Sequence, residues 1–362
     1  MTKTKIAVVG CGHLGTIHAR LLAAREDVDL VAVVDASPEA AQRVAAAHGC
    51  EACAGAEELV GRVEAAVVAT PTGLHAGVSL PLLAAGIDLL VEKPIASTVE
   101  DARAIVTTAR RHGRVVAVGH VERFNPAWRL AVERVGRPLS IEAARLAPFT
   151  FRSMDVGVVH DLMIHDIDLV LSLDPGRLQQ VEAHGLAATG GHEDAVKARL
   201  VFSSGLVADL TASRISPVLR RTISIWSANA LAAVDFNAKS VEVIGASPAV
   251  EAGRFVAAAV PPADRPALKE TFFRDVLPLE TLAVPEANAI ACEHDDFLAA
   301  MRTGRAPLVS ASAGAAALEI ANQVIDCLAC TRFGAVQEPP ATITHPAASP
   351  RPLPPLPRRK TG

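Results

Sequence analysis

The sequence predicts an α/β protein: a doubly wound parallel sheet followed by an α/β unit with an open, mostly antiparallel sheet. Three observations lead there. Short apolar runs alternate with helical stretches through the first 120 residues, a glycine-rich turn follows the first run, and the pattern then changes to successive alternating strands.

The first run, Ile6-Ala7-Val8-Val9, has no polar alternation, as a parallel strand covered on both faces requires. The strand signal returns at 30–34, 65–69, 88–91 and 115–118. Between these lie a helix running to Ala24 and helices at 38–48, 75–85 and 99–112. Past Gly119 a helix is predicted at 126–135, a strand at 140–145, and a helix rich in His and Asp at 155–173. Strands are then predicted at 181–188, 195–202, 206–213, 222–226, 230–236 and 241–244, separated by turns such as Ser203-Ser204-Gly205. Helices at 287–303 and 310–332 close the fold. The domains read as 1–120, 121–335 and a proline-rich tail, 336–362, whose composition buries no core and predicts disorder.

Composition narrows the function classes. The chain has 362 residues, enough for two domains at roughly 100–200 residues each. Its net charge of −4 argues against nucleic acid or an anionic membrane as a partner. No uncharged apolar run approaches the roughly 18–20 residues of a membrane span, and the N-terminus leads directly into a strand pattern, so the expected compartment is the cytosol. There is no tyrosine, which removes any mechanism built on a Tyr general acid. The pairs Cys50/Cys53 and Cys327/Cys330 sit at opposite ends of the chain, the second within the last predicted helix. They read as structural thiols of a reducing compartment, and no metal is assigned.

The turn Gly10-Cys11-Gly12-His13-Leu14-Gly15 follows the first strand and opens a helix. Glycines there allow a tight turn and close backbone approach by a pyrophosphate, which the helix N-terminus favours. Asp35 ends the second strand twenty residues beyond Gly15, the position of a carboxylate that binds ribose hydroxyls and repels a 2′-phosphate. Together these give a Rossmann domain and favour NAD over NADP. Thr70, Pro71, Thr72 and His75 lie in the loop after the next strand, beneath the expected nicotinamide ribose. Capping of the following helix is an equal reading for Thr72.

Glu92-Lys93-Pro94 ends a further strand at the same sheet edge. An ammonium there stabilises a developing alkoxide or, deprotonated, takes a proton. The second chemical element runs from Gly157 to Asp168. Asp161 and His165 are four apart, so on a regular helix they share a face, where the carboxylate would fix the imidazole's tautomer for removal of an alcohol proton.

These motifs together, Gly-x-Gly-x-x-Gly, Glu-Lys-Pro, and Gly157 with Asp161 and His165, resemble the Gfo/Idh/MocA oxidoreductase family across nearly all of residues 1–335. The resemblance implies a Rossmann domain, then a domain whose open sheet makes a homodimer or homotetramer, and a catalytic set mapping onto Lys93, Asp161 and His165. The stretches Val118–Pro126 and 152–168 further resemble the branch that oxidises the C3 hydroxyl of UDP-N-acetylglucosamine with NAD, giving a 3-keto sugar nucleotide for amination in lipid A or glycan synthesis. His160 departs from that pattern, where an apolar residue is expected; it either perturbs the proton relay or hydrogen-bonds Glu122 or Asp161.

A nucleotide diphosphate needs cations, and Arg123, Arg145, Arg152, Arg214, Arg220 and Arg221 are candidates, Arg152 first among them. The expected substrate contacts are Lys93, Glu122, Arg123, Arg152, Asp161 and His165; the cofactor contacts include Glu92 and Lys93. His165 is the expected base and Lys93 the oxyanion's partner, with the reverse assignment open. A dehydrogenase of a free polyol such as inositol, and a dinucleotide-binding sensor without turnover, are the alternatives.

Overall fold

The computed structural model describes residues 3–151, 154, 156–189, 191–332 and 343–344, and among these two sheets form. The first has six parallel strands: β1 (Thr4–Val9), β2 (Val28–Val34), β3 (Glu51–Cys53), β4 (Ala65–Val68), β5 (Asp88–Val91) and β6 (Val116–Val118). Their order is β3-β2-β1-β4-β5-β6. The direction of winding reverses between β1 and β4, which opens a crevice at the strands' carboxyl ends. β3 escaped the sequence reading because three residues carry no period.

Helices α1 (His13–Ala23), α2 (Pro38–His48), α3 (His75–Ala84) and α4 (Val99–His112) connect these strands. Local chemistry sets their ends. The Thr98 hydroxyl accepts the Asp101 N–H at 3.0 Å to start α4, and Gly113, at φ 62°, stops it. Strand side chains alternate between two apolar clusters: Ala7, Val9, Val68 and Val91 face one way, Ile6, Val8, Val67 and Leu90 the other.

The second sheet has ten strands: β7 (Pro138–Leu146), β8 (Leu178–Ala187), β9 (Ala195–Phe202), β10 (Val207–Ser213), β11 (Arg220–Ser227), β12 (Leu231–Asp235), β13 (Ser240–Ile244), β14 (Leu279–Leu282), β15 (Leu328–Arg332) and β16 (Ile343–Thr344). Their order is β14-β13-β12-β11-β7-β10-β9-β8-β15, with β16 on β8. Pairing is antiparallel except β7 with β10 and β8 with β15. One face packs on α5 (Pro126–Val135) and α6 (Ile164–Leu171), burying Trp128, Ile167, Leu200 and Ile223; the other presents Glu142, Arg199 and Asp209. Four more helices follow: α7 (Pro248–Glu251), α8 (Arg265–Asp275), α9 (Ala289–Thr303) and α10 (Ala311–Asp326).

Three expectations are corrected. The last helix stops at Asp326, and residues 328–332 become β15, because the open edge of β8 offers backbone partners that outweigh local preference. Cys327 is therefore buried at the helix end while Cys330 lies exposed on a strand. The His/Asp-rich helix is not regular: a π-helical turn, Val159–Met163, precedes α6. The last predicted unit also packs differently from its place in the sequence. Phe297 and Leu298 of α9, and Val309, Ala311 and Leu318 around α10, join the clusters of the first sheet, and the Val309 carbonyl accepts the Val118 N–H at 3.0 Å. The proline-rich tail lies outside the described residues, apart from Ile343 and Thr344, which pair with Val181 and Gln180.

Candidate active site

The glycine turn divides its labour. Gly10 has φ +101°, and a Cβ there would lie 2.5 Å from the Ala69 carbonyl oxygen. Gly15 packs against the Gly10 carbonyl and has no room for a side chain. Gly12 alone faces open space, with nothing within 4 Å of its Cβ direction. It caps α1, whose first turn (His13, Leu14) is exposed and carries no acid. A pyrophosphate fits that open backbone face and the unfilled N–H groups of the helix start.

Asp35 is doubly held: its Oδ2 accepts the Cys11 N–H at 2.7 Å and its Oδ1 the Ser37 N–H at 2.8 Å. The carboxylate thus caps its own turn and is fixed beside the glycines, each oxygen keeping a lone pair for a ribose hydroxyl. Burial, then the Asp35 charge, pushes the Cys11 thiol up to about 11, so it stays protonated. Pro71 is exposed at the crevice, and Thr70 Oγ1 is buried with no partner among the described residues. Thr72 starts a short 3₁₀ turn and does not cap α3, whose N-terminal flank is Leu74.

His75 and Glu92, expected at the cofactor, instead brace the loops around it. The His75 ring is 1% exposed between the carbonyls of Thr70 and Pro94, each at 2.9 Å, and burial lowers its pKa. Glu92 Oε2 accepts the Lys93 N–H at 3.1 Å, and Oε1 lies 2.9 Å from His18 Nε2. Both side chains point inward because the crevice loops need internal partners.

Lys93 carries the link between the two halves. Its Nζ donates to the Asp161 carbonyl at 2.7 Å and to Asp161 Oδ1 at 3.3 Å. The predicted pairing of Asp161 with His165 does not form. The π turn widens the helix there, so residues four apart no longer stack, and the carboxylate serves Lys93. His165 keeps a buried Nδ1 with no partner among the described residues. Burial, then the Lys93 charge, holds its pKa well below 6.5, so the imidazole is neutral. His120 stands edge-on to it, ring centroids 6.3 Å apart, and burial followed by the charges of Lys93 and Arg123 brings its pKa down to about 3. His120 lies within the Val118–Pro126 stretch, where nothing local shows that it faces His165.

Three of the six predicted phosphate cations are occupied. Arg145 is 4% exposed between Glu122 at 2.9 Å and Asp166 at 2.8 Å. Arg123 pairs with Asp168 at 3.4 Å and donates to the Leu308 carbonyl at 3.2 Å. Arg214 pairs with Asp194 at 2.7 Å. Glu122 and Arg123 are thus internal ion-pair members and not free substrate contacts, because charges buried at this depth must neutralise one another. Arg152 lies outside the described residues. His160 meets Asn322 Oδ1 at 2.7 Å, not Glu122 or Asp161.

Arg220 and Arg221 remain exposed. Arg221 is opposite Arg145 in the β11–β7 register, so both side chains leave the same sheet face. Its charge reaches His165 and Asp166, and the Phe236 N–H anchors its carbonyl at 2.9 Å.

Residues 4–120 match the family model described as an oxidoreductase family with an NAD-binding Rossmann fold, GFO_IDH_MocA, and residues 129–230 match its C-terminal domain. The chain belongs to the Gfo/Idh/MocA oxidoreductase family. It is 34% identical over 325 residues to a UDP-N-acetylglucosamine 3-dehydrogenase of Acidithiobacillus ferrooxidans, covering 90% of this chain and 97% of that one. A solved structure of that enzyme superposes with a TM-score of 0.79 at 32% identity, over 91% of this chain and 98% of the other. An inositol 2-dehydrogenase of Rhizobium meliloti is 30% identical over 58% of this chain and 68% of its own.

As a Gfo/Idh/MocA member the chain is an oxidoreductase that uses NAD, and the cradle at Gly10, Gly12, Gly15 and Asp35 fits that cofactor. The junction of Lys93 with Asp161 brings this cradle's sheet edge to the second sheet's helices.

Proposed function

We propose that this oxidoreductase oxidises the C3 hydroxyl of a UDP-N-acetyl sugar, UDP-N-acetylglucosamine, to the 3-keto sugar nucleotide. The observation that carries the reading is the meeting of Lys93 with Asp161 beside a neutral His165, at the carboxyl edge of an NAD-binding sheet. Likeness to an A. ferrooxidans enzyme of that name over 90% of the chain supports the substrate.

Bound NAD supplies the acceptor for the hydride of the carbinol carbon. His165 takes the hydroxyl proton on its neutral ring. Two Lys93 N–H groups are engaged by Asp161, and the third stabilises the oxyanion. Asp161 orients that ammonium. Arg221 clamps a diphosphate oxygen, and the Asp35 carboxylate disfavours the 2′-phosphate of NADP. The 3-keto product suits amination, as in synthesis of a diamino-sugar lipid A or a related glycan. The enzyme works as a homodimer or homotetramer through the open face of the second sheet. Its N-terminal domain spans 1–120 and its substrate domain 121–335, the latter sending α9 and α10 back onto the first sheet.

A polyol dehydrogenase is the second reading, favoured by the inositol dehydrogenase relatives. Protein and NAD, mixed with UDP-N-acetylglucosamine, other UDP-sugars, free N-acetylglucosamine and inositol, test both. NADH formation with UDP-N-acetylglucosamine and a product two hydrogens lighter is expected. Turnover of inositol alone would overturn the nucleotide-sugar reading.

A further inference from the structure

Behind the Glu92-Lys93 turn lies a row of buried polar side chains that the reaction above does not use. His18 of α1 is fully buried, and His294 of α9 is 1% exposed. Three hydrogen bonds join them to Lys93. His294 Nε2 lies 2.8 Å from His18 Nδ1, His18 Nε2 lies 2.9 Å from Glu92 Oε1, and Glu92 Oε2 accepts the Lys93 N–H at 3.1 Å.

The proton positions follow from the partners. A carboxylate only accepts, so His18 carries its proton on Nε2. If its other nitrogen is bare, His18 accepts on Nδ1 and His294 donates from Nε2. That leaves His294 Nδ1 bare, and Nδ1 is indeed buried with no partner among the described residues. Burial, then the neighbouring His18 and Arg25, brings the His294 pKa down to about 3, which keeps its ring neutral. Glu293, next along α9, is 2% exposed with both oxygens unpartnered among the described residues; burial, then the Glu92 charge, push its pKa well above the ordinary carboxyl range. Glu92 has little freedom: a Cβ on Gly119 would come within 2.8 Å of its Oε2.

We propose that His18 and His294 are positioning residues: a one-way chain of hydrogen bonds from His294 through His18 to Glu92 fixes the backbone of Lys93 for the reaction. His294 sets the tautomer of His18, as an acceptor orients a metal-bound histidine from behind. Without it His18 can move its proton to Nδ1, and Glu92 loses a donor. The proposal rests on Lys93 acting at the reaction centre. Its chain of protons is testable without turnover.

Nitrogen-15 NMR of the wild-type protein reads the chain directly. Neutral Nε2–H tautomers for both His18 and His294 are expected; an Nδ1–H or doubly protonated His18 would overturn it. Among variants, His294→Leu should lower kcat with UDP-N-acetylglucosamine by about 10²-fold, the scale of a misplaced catalytic group. The Kd for NAD, by calorimetry, should stay within about twofold, and His294→Gln, which keeps a donor, should restore most of kcat. Full kcat in a folded His294→Leu, or no rescue by His294→Gln, would sink the proposal. Should Lys93→Met retain full activity while the tautomers are as stated, the error lies in the role given to Lys93 and not in the chain.

Discussion

The two halves of the molecule spend their polar residues differently. Around the first sheet, Gly12, Asp35 and Lys93 stand at strand ends facing the crevice. Around the second sheet, Glu122, Arg123, Arg145 and Arg214 are consumed in ion pairs, and Arg221 stays exposed beside His165 and Asp166. The difference teaches that charge near a reaction centre is not yet charge available to a ligand. A cation serves substrate where the fold leaves it exposed, as at Arg221, or with a donor to spare, as at Lys93.

The sharpest test of this contrast sets two arginines from one register pair against each other. Arg145→Met strands Glu122 and Asp166 as buried carboxylates and should cost about 3–5 kcal/mol of stability by urea unfolding. Its cross-strand neighbour behaves oppositely: Arg221→Gln should change stability by less than about 0.5 kcal/mol. Next in size, His165→Ala should lower kcat by roughly 10²-fold or more, as loss of a general base does. Because burial keeps His165 neutral far below its ordinary 6.5, wild-type kcat/KM should show no His165 limb as pH falls from 8 to about 6.5. A tenfold decline across that range would remove it as the base.

A smaller effect separates binding from folding at Arg221. The glutamine variant should raise KM for a UDP-sugar about tenfold, the scale of one charge-assisted hydrogen bond, with little change in kcat. An unchanged KM would leave the exposed arginine without a ligand. The smallest effect is at Asp168, whose carboxyl burial pushes up to about 7, against the opposing charge of Arg123. The native state holds this proton more tightly than the unfolded chain, so stability falls as pH rises from about 4 to 7. Urea unfolding from pH 4 to 8 should show this decline, and Asp168→Asn, which cannot titrate, should flatten it.

What could be read from sequence divides along the same line. The Gly10–Gly15 turn, the helix from Val99 to His112 and the alternating strand from Ala195 to Phe202 depend on local backbone geometry, capping and burial period, all carried by neighbouring residues. The partner of Asp161 was not legible, because a π turn leaves no pattern and Lys93 is 68 residues away. His18 carries no signal of its own in the sequence, and only the arrival of His294 beside it makes a chain. β15 was read as helix because the edge it completes lies on β8, far back in sequence.

The return of α9 and α10 to the first sheet bears on how a ribosome delivers this chain. When residues 1–120 emerge, His18 and Val118 still await partners at His294 and Val309. The nucleotide-binding half therefore matures last as well as first: its buried imidazole and its final strand stay unfinished until residues 294 and 309 have been synthesised.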